Sequence, residues 1–214
     1  MIDGPRLTPA SGGGAKSLVV LLHGYGADGN DLIDIGRQLA PILPDTAFVS
    51  PDAPDPCEGA PYGRQWFPLA TIEPHLLYAG TSQAAPVLDA FLDAELARHG
   101  LTDRNLALVG FSQGTMMALH IAFRRKAAIA GVVGYSGLLA GPEHLPADIR
   151  SKPPVLLVHG DMDEVVPAMA MNAVVRALGQ VEVPVEWHLR PGLPHGIDGE
   201  GLRLGAEFLR RVLV

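Results

Sequence analysis

Short apolar runs alternate with longer stretches of helical periodicity along the chain, and this alternation restricts the fold more than any other feature. Residues 18–22, 47–50, 106–111, 129–135 and 155–159, each bounded by Gly, Pro or Asp, read as buried strands, with 185–189 as a sixth. Residues 31–40, 83–99, 112–125, 168–178 and 201–212 carry apolar side chains at helical spacing. A strand–helix alternation of this kind predicts an α/β fold, a mostly parallel central sheet with helices on both faces. With 214 residues, 48% of them hydrophobic, the chain is expected to form a single domain over 1–214. Segment 51–80 breaks the pattern. It is rich in proline, carries Tyr62, Trp66, Phe67, Leu69, Leu76, Leu77 and Tyr78, and reads as one long irregular loop of the functional kind.

Charge excludes some partners. The formal net charge is −7, and the longest basic run, Arg124-Arg125-Lys126, closes a predicted helix, where cations complement the dipole; nucleic acid is not an expected partner. A lone cysteine, Cys57, offers neither a disulfide nor a metal-ligand spacing, so no metal and no cofactor are expected. The start of the sequence lacks a basic, then apolar leader, and no apolar stretch reaches the roughly 18 residues that span a bilayer. These signs lead to an expectation of a cytoplasmic protein without an integral membrane segment.

The chemistry centres on Gly110-Phe111-Ser112-Gln113-Gly114, a G-x-S-x-G between a predicted strand and a predicted helix. A nucleophile on so sharp a turn needs small residues two positions to either side, and the turn leaves the Gln113 N–H at a helix N-terminus facing a developing oxyanion. A serine needs a base and an orienting acid. Both fall after later strands in the order Ser, Asp, His: Asp161-Met162-Asp163-Glu164 after 155–159, and His195, between Pro194 and Gly196, after 185–189. Spacing leaves the choice among the adjacent carboxylates open, since loop aspartates commonly cap turns. His23-Gly24-Tyr25-Gly26 follows the first strong strand and can aim the Tyr25 N–H at the same oxyanion. Gly24, Gly26 and Gly29 also satisfy the G-x-G-x-x-G dinucleotide fingerprint, with Asp52 after the next strand, so an NAD-dependent oxidoreductase is the competing reading. Gly14-Ala15-Lys16-Ser17 only partly matches a phosphate-binding loop, and the strand follows it instead of preceding it.

Taken together, the 22–32 stretch, Gly63-Arg64-Gln65-Trp66-Phe67, the Ser112 motif, His159-Gly160 with Asp163 and Val166-Pro167, and His195-Gly196 resemble the phospholipase/carboxylesterase family, which includes acyl-protein thioesterases and small bacterial carboxylesterases. The resemblance implies a minimal α/β-hydrolase fold without a large cap domain, and a serine esterase or thioesterase with Ser112 as nucleophile, His195 as base and Asp163 as acid. It also implies oxyanion donors at Tyr25 and Gln113. The substrate would be a small-molecule or lipid ester or thioester; lysophospholipase and acyl-protein thioesterase activities are alternatives within the family. Arg64, Trp66, Phe67, Leu69, Met162 and Leu193 are expected to border the substrate, and a homodimer is suggested. The short glycine-rich stretch 1–17 implies that the first strands of the full fold are missing or abbreviated.

Overall fold

The structure is a computed structural model and describes residues 2–69 and 73–214. The chain runs through β1 (Arg6–Leu7), β2 (Ser17–Leu22), α1 (Gly29–Leu39), β3 (Thr46–Val49), a small ribbon of β4 (Asp55–Pro56) and β5 (Arg64–Gln65), and α2 (Pro74–His99). It continues through β6 (Leu106–Phe111), α3 (Gln113–Arg124), β7 (Gly131–Tyr135), α4 (Leu145–Asp148), β8 (Val155–Gly160), α5 (Met169–Gln180), β9 (Val185–Arg190) and α6 (Gly199–Leu213).

Seven strands form one sheet in the order β1-β3-β2-β6-β7-β8-β9, parallel throughout except for the β1–β3 pair. Every residue of β2 is buried because both faces of the sheet are covered. Leu18, Val20 and Leu22 face a layer containing Leu88, Met117 and Val174 of α2, α3 and α5. Val19 and Leu21 face the opposite layer, with Leu32 of α1 and Phe208 of α6. The alternation of side chains along a strand thus feeds two apolar layers at once, the arrangement that continuous Val/Leu runs require. Among the described residues no large cap domain rises from the sheet.

All six predicted strands are present. The chain leaves β2 toward β3 on one side and returns to β6 on the other, so the carboxyl ends of β2 and β6 border a crevice, the usual place for a site in an open α/β sheet. The sheet edge at β1 is abbreviated to two residues, pinned by Arg6 to the buried Glu95 of α2 (2.8 Å).

One predicted boundary is displaced. Helix α2 begins at Pro74, not near residue 83, and so absorbs Leu76, Leu77 and Tyr78 from the segment expected to be irregular. Its buried face includes the polar Thr81 and Glu95, and Pro86 sits inside it, so the apolar period that announces a helix is diluted. Thr81 satisfies its hydroxyl on Leu77 O and Tyr78 O, each at 3.0 Å. Among the described residues no helix is long and apolar enough to cross a membrane.

Candidate active site

Ser112 sits where β6 turns into α3, with φ 52° and ψ −115°. A non-glycine residue there costs about 1–3 kcal/mol, which the surrounding packing must offset. The turn is held by Ser112 N–H donating to Tyr135 O at 2.9 Å, and its tightness explains both glycines. A Cβ on Gly110 would lie 2.5 Å from Thr115 N, and one on Gly114 would lie 1.8 Å from Leu22 O. The Ser112 side chain makes no capping bond to the helix it precedes, so its hydroxyl is not consumed by local structure.

The turn after β8 presents Asp163. Its side chain is buried, with Oδ1 accepting from Val165 N–H (3.0 Å) and Val166 N–H (2.8 Å) and Oδ2 lying 2.8 Å from His195 Nδ1. Burial pushes the Asp163 carboxyl up, but the His195 hydrogen bond and the two amides outweigh it and hold the group below its ordinary range. A carboxylate only accepts, so Nδ1 of His195 carries the proton in this pair. A second histidine supports the acid: buried His159 lies with Nε2 2.7 Å from Val166 O and 3.3 Å from Asp163 Oδ2. Both neighbours are acceptors, so this Nε2 is protonated and ties the 163–166 turn to β8.

Asp161, two residues earlier, does different work. It is exposed and accepts the Gly192 N–H at 2.6 Å, fixing the loop that leads to His195. The same loop packs on Gly160, where a Cβ would meet Leu193 O at 2.1 Å. The His195 ring lies 4.8 Å from that of Phe111, the residue before Ser112. Among the described residues the Ser112 hydroxyl and His195 do not share a hydrogen bond, a contact that in many hydrolases tightens only around substrate.

The loop after β2 completes the surroundings of the serine. Gly24 approaches so closely that a Cβ there would be 3.4 Å from Ser112 Cβ. The N–H groups of Tyr25 and Gln113 have no hydrogen-bond partner among the described residues. The loop is braced from behind by His23, which accepts from Ala53 N–H at Nε2 (3.0 Å) and therefore donates from Nδ1 to Gly24 O (2.8 Å); burial lowers its pKa and keeps the ring neutral. Sequence reasoning missed the role of the Gln113 side chain. Fully buried, it accepts from Trp66 N–H (2.9 Å) and donates to Phe67 O (2.8 Å), while Trp66 Nε1 donates to His23 O (3.0 Å). Elbow, Gly24 loop and residues 64–67 are thereby one hydrogen-bonded unit.

The same region argues against the dinucleotide reading. Gly29 N–H donates to Asp52 Oδ1 and Asn30 N–H to Asp28 Oδ1, both at 2.8 Å. Two carboxylates thus occupy the helix N-terminus that a pyrophosphate would need. Gly29 is required instead by packing, since a Cβ there would be 2.1 Å from Ser50 O.

A groove of about 490 Å³ opens at Ser112, walled by Leu69, Met116, Leu138, the 165–167 turn and α5 from Met169 to Arg176. Of the residues expected to border substrate, Leu69 lies in this groove. Trp66 and Phe67 are instead buried in the core, Arg64 belongs to the ribbon through its backbone bonds to Gly26 and Ala27, Met162 points to solvent, and Leu193 faces Gly160 and Met162 through its carbonyl. The α5 wall was not anticipated, because its exposed Met169 and Ala173 look in sequence like the ordinary surface of an amphipathic helix. Leu138, Ala170 and Ala173 also line an adjoining cavity of about 250 Å³ that reaches Leu77.

A doubly covered parallel sheet, a strained serine at a strand-to-helix turn and an Asp–His pair at the ends of later strands define an α/β-hydrolase of the ester-cleaving class. The Phospholipase/Carboxylesterase family profile matches residues 8–213, and the chain belongs to that family. Esterase YpfH of Escherichia coli (strain K12) is 28% identical over 196 residues, covering 92% of this chain and 83% of that protein. The crystal structure of esterase PE8 superposes with a TM-score of 0.95 at 45% identity, covering 99% of both chains. Acyl-protein thioesterase 2 of Zea mays shares the fold, with a TM-score of 0.76 at 22% identity over 98% of each chain.

Proposed function

We propose that the chain acts as one hydrolase domain that cleaves carboxylic esters or thioesters through an acyl-enzyme on Ser112. Ser112 Oγ attacks the carbonyl carbon while His195 Nε2 takes its proton, and Asp163 holds the imidazole with Nδ1 protonated and stabilises the imidazolium that forms. The N–H groups of Tyr25 and Gln113 receive the negative charge on the tetrahedral oxygen. His195 then returns the proton to the departing alcohol or thiol, and water, activated by the same imidazole, releases the acid. The observation that carries this reading is the 2.8 Å contact of His195 Nδ1 with the buried Asp163, beside a serine held at positive φ. The apolar groove beside Ser112 supports acyl chains longer than acetyl.

The test is a substrate series. Nitrophenyl esters from acetate to decanoate, with matched thioesters and a lysophospholipid, are assayed with wild type and Ser112→Ala. Turnover is expected to rise from acetate to medium chains and to fall by about 10⁶ in the variant. Near-normal turnover by Ser112→Ala would end the reading.

A further inference from the structure

The groove at Ser112 is lined mostly by apolar side chains but carries a charge. In a chain of net charge −7, the described residues of its lining include no Asp or Glu and one cation, Arg176. Arg6, Arg124, Arg125 and Arg190 are each held by carboxylates, whereas Arg176 is exposed and has no ion-pair partner among the described residues. On α5, Met169, Ala173 and Arg176 follow one another at helical spacing on the face that walls the groove. Met169 is near the 165–167 turn that follows Asp163, and Arg176 stands about 10 Å further along the helix axis, given 1.5 Å per residue. Asn172, one turn before Arg176, adds a neutral polar side chain on the same wall.

We infer that this site selects esters or thioesters whose apolar acyl chain ends in an anion, with Arg176 binding that anion while the reacting carbonyl sits at Ser112. The inference rests on the hydrolase reading above and extends it to a substrate class. A guanidinium fork pairs with carboxylate or phosphate oxygens in two parallel hydrogen bonds, and a lining free of carboxylates leaves that pairing unopposed. The distal anion is unchanged by the reaction. Water's oxygen adds to the acyl carbon, the bond to the alcohol or thiol breaks, and the leaving group takes a proton.

The experiment compares nitrophenyl half-esters of suberic and sebacic acid with nitrophenyl octanoate and decanoate, and includes chains of matched length ending in a phosphonate. For wild type, kcat/KM on the anionic chain is expected to equal or exceed that on its neutral counterpart. That ratio should fall about tenfold in Arg176→Ala and further in Arg176→Glu, mainly through KM, with Arg176→Lys between them. Salt should lower the wild-type ratio by screening the pair. A larger ratio for the phosphonate assigns phosphate as the preferred anion; a larger one for the half-esters assigns carboxylate. If neutral and anionic esters are both hydrolysed but their ratio is the same in Arg176→Ala as in wild type, the inference is wrong and the hydrolase reading stands. If the folded wild type hydrolyses none of the esters, both fall.

Discussion

The elbow at 110–114 and the segment from 64 to 67 lie against each other, yet they are shaped by different forces. The elbow is fixed by backbone sterics: Gly110 and Gly114 have no room for a methyl group, and Ser112 is driven to positive φ. The described part of the neighbouring segment is fixed by hydrogen bonds from afar, chiefly the Gln113 side chain on Trp66 and Phe67 and the Trp66 indole on His23. Steric necessity leaves a spaced signature in a sequence. Long-range hydrogen bonding does not, because any buried polar side chain of suitable reach can supply it.

Four substitutions break or sharpen this contrast. The largest effect among these is expected at Asp163. Asp163→Asn should lower kcat by about 10⁴, by analogy with loss of the orienting aspartate in other triads, because the amide favours the wrong imidazole tautomer. Asp161→Asn, two residues away, removes only the carboxylate that receives Gly192 N–H and should cost less than about tenfold; kinetics on one ester compare the two variants. At the elbow, Gly114→Ala places a methyl group against Leu22 O and should destabilise the fold by about 3 kcal/mol or more, read by denaturant unfolding. In the adjacent segment, Gln113→Leu leaves Trp66 N–H and Phe67 O unpaired but has no steric conflict of that kind. A loss of about 1–3 kcal/mol is expected for each buried group, together with an altered chain-length profile, since Leu69 follows the tethered residues into the groove.

A smaller effect concerns pH and the sheet edge. Burial raises the Glu95 carboxyl, but Arg6 and Arg98 outweigh it and hold the group below its ordinary value of 4.5. The stabilisation is therefore complete above that value and is lost as pH falls through the lower folded value. Arg6→Ala should shift the acid-unfolding midpoint upward, and scanning fluorescence across pH 3 to 6 measures it. An unchanged midpoint would mean that the β1 edge and the start of the chain are held by other contacts.

Much of the fold was legible because strands buried on two faces must be continuous apolar runs, and all six expected strands lie where those runs are. Helix α2 was legible only from about residue 83, because the polar Thr81 interrupts the apolar period of its first turns, and its hydroxyl is satisfied within the helix, on Leu77 O and Tyr78 O. In the candidate site, the order Ser112, Asp163, His195 could be read from loops after strands, but the choice between Asp161 and Asp163 could not. Burial separates them: one aspartate points to solvent, while the other is enclosed by two amides and two histidines. The groove was the least legible part. Its wall comes from α5 and the 165–167 turn, whose residues acquire their common face only when β8 and β9 are side by side.

The most direct measurement is covalent labelling with a fluorophosphonate followed by peptide mapping. One adduct per chain on Ser112, abolished in Ser112→Ala and strongly slowed in Asp163→Asn, is the predicted result. An active enzyme that takes no label, or carries it on another residue, would contradict the account.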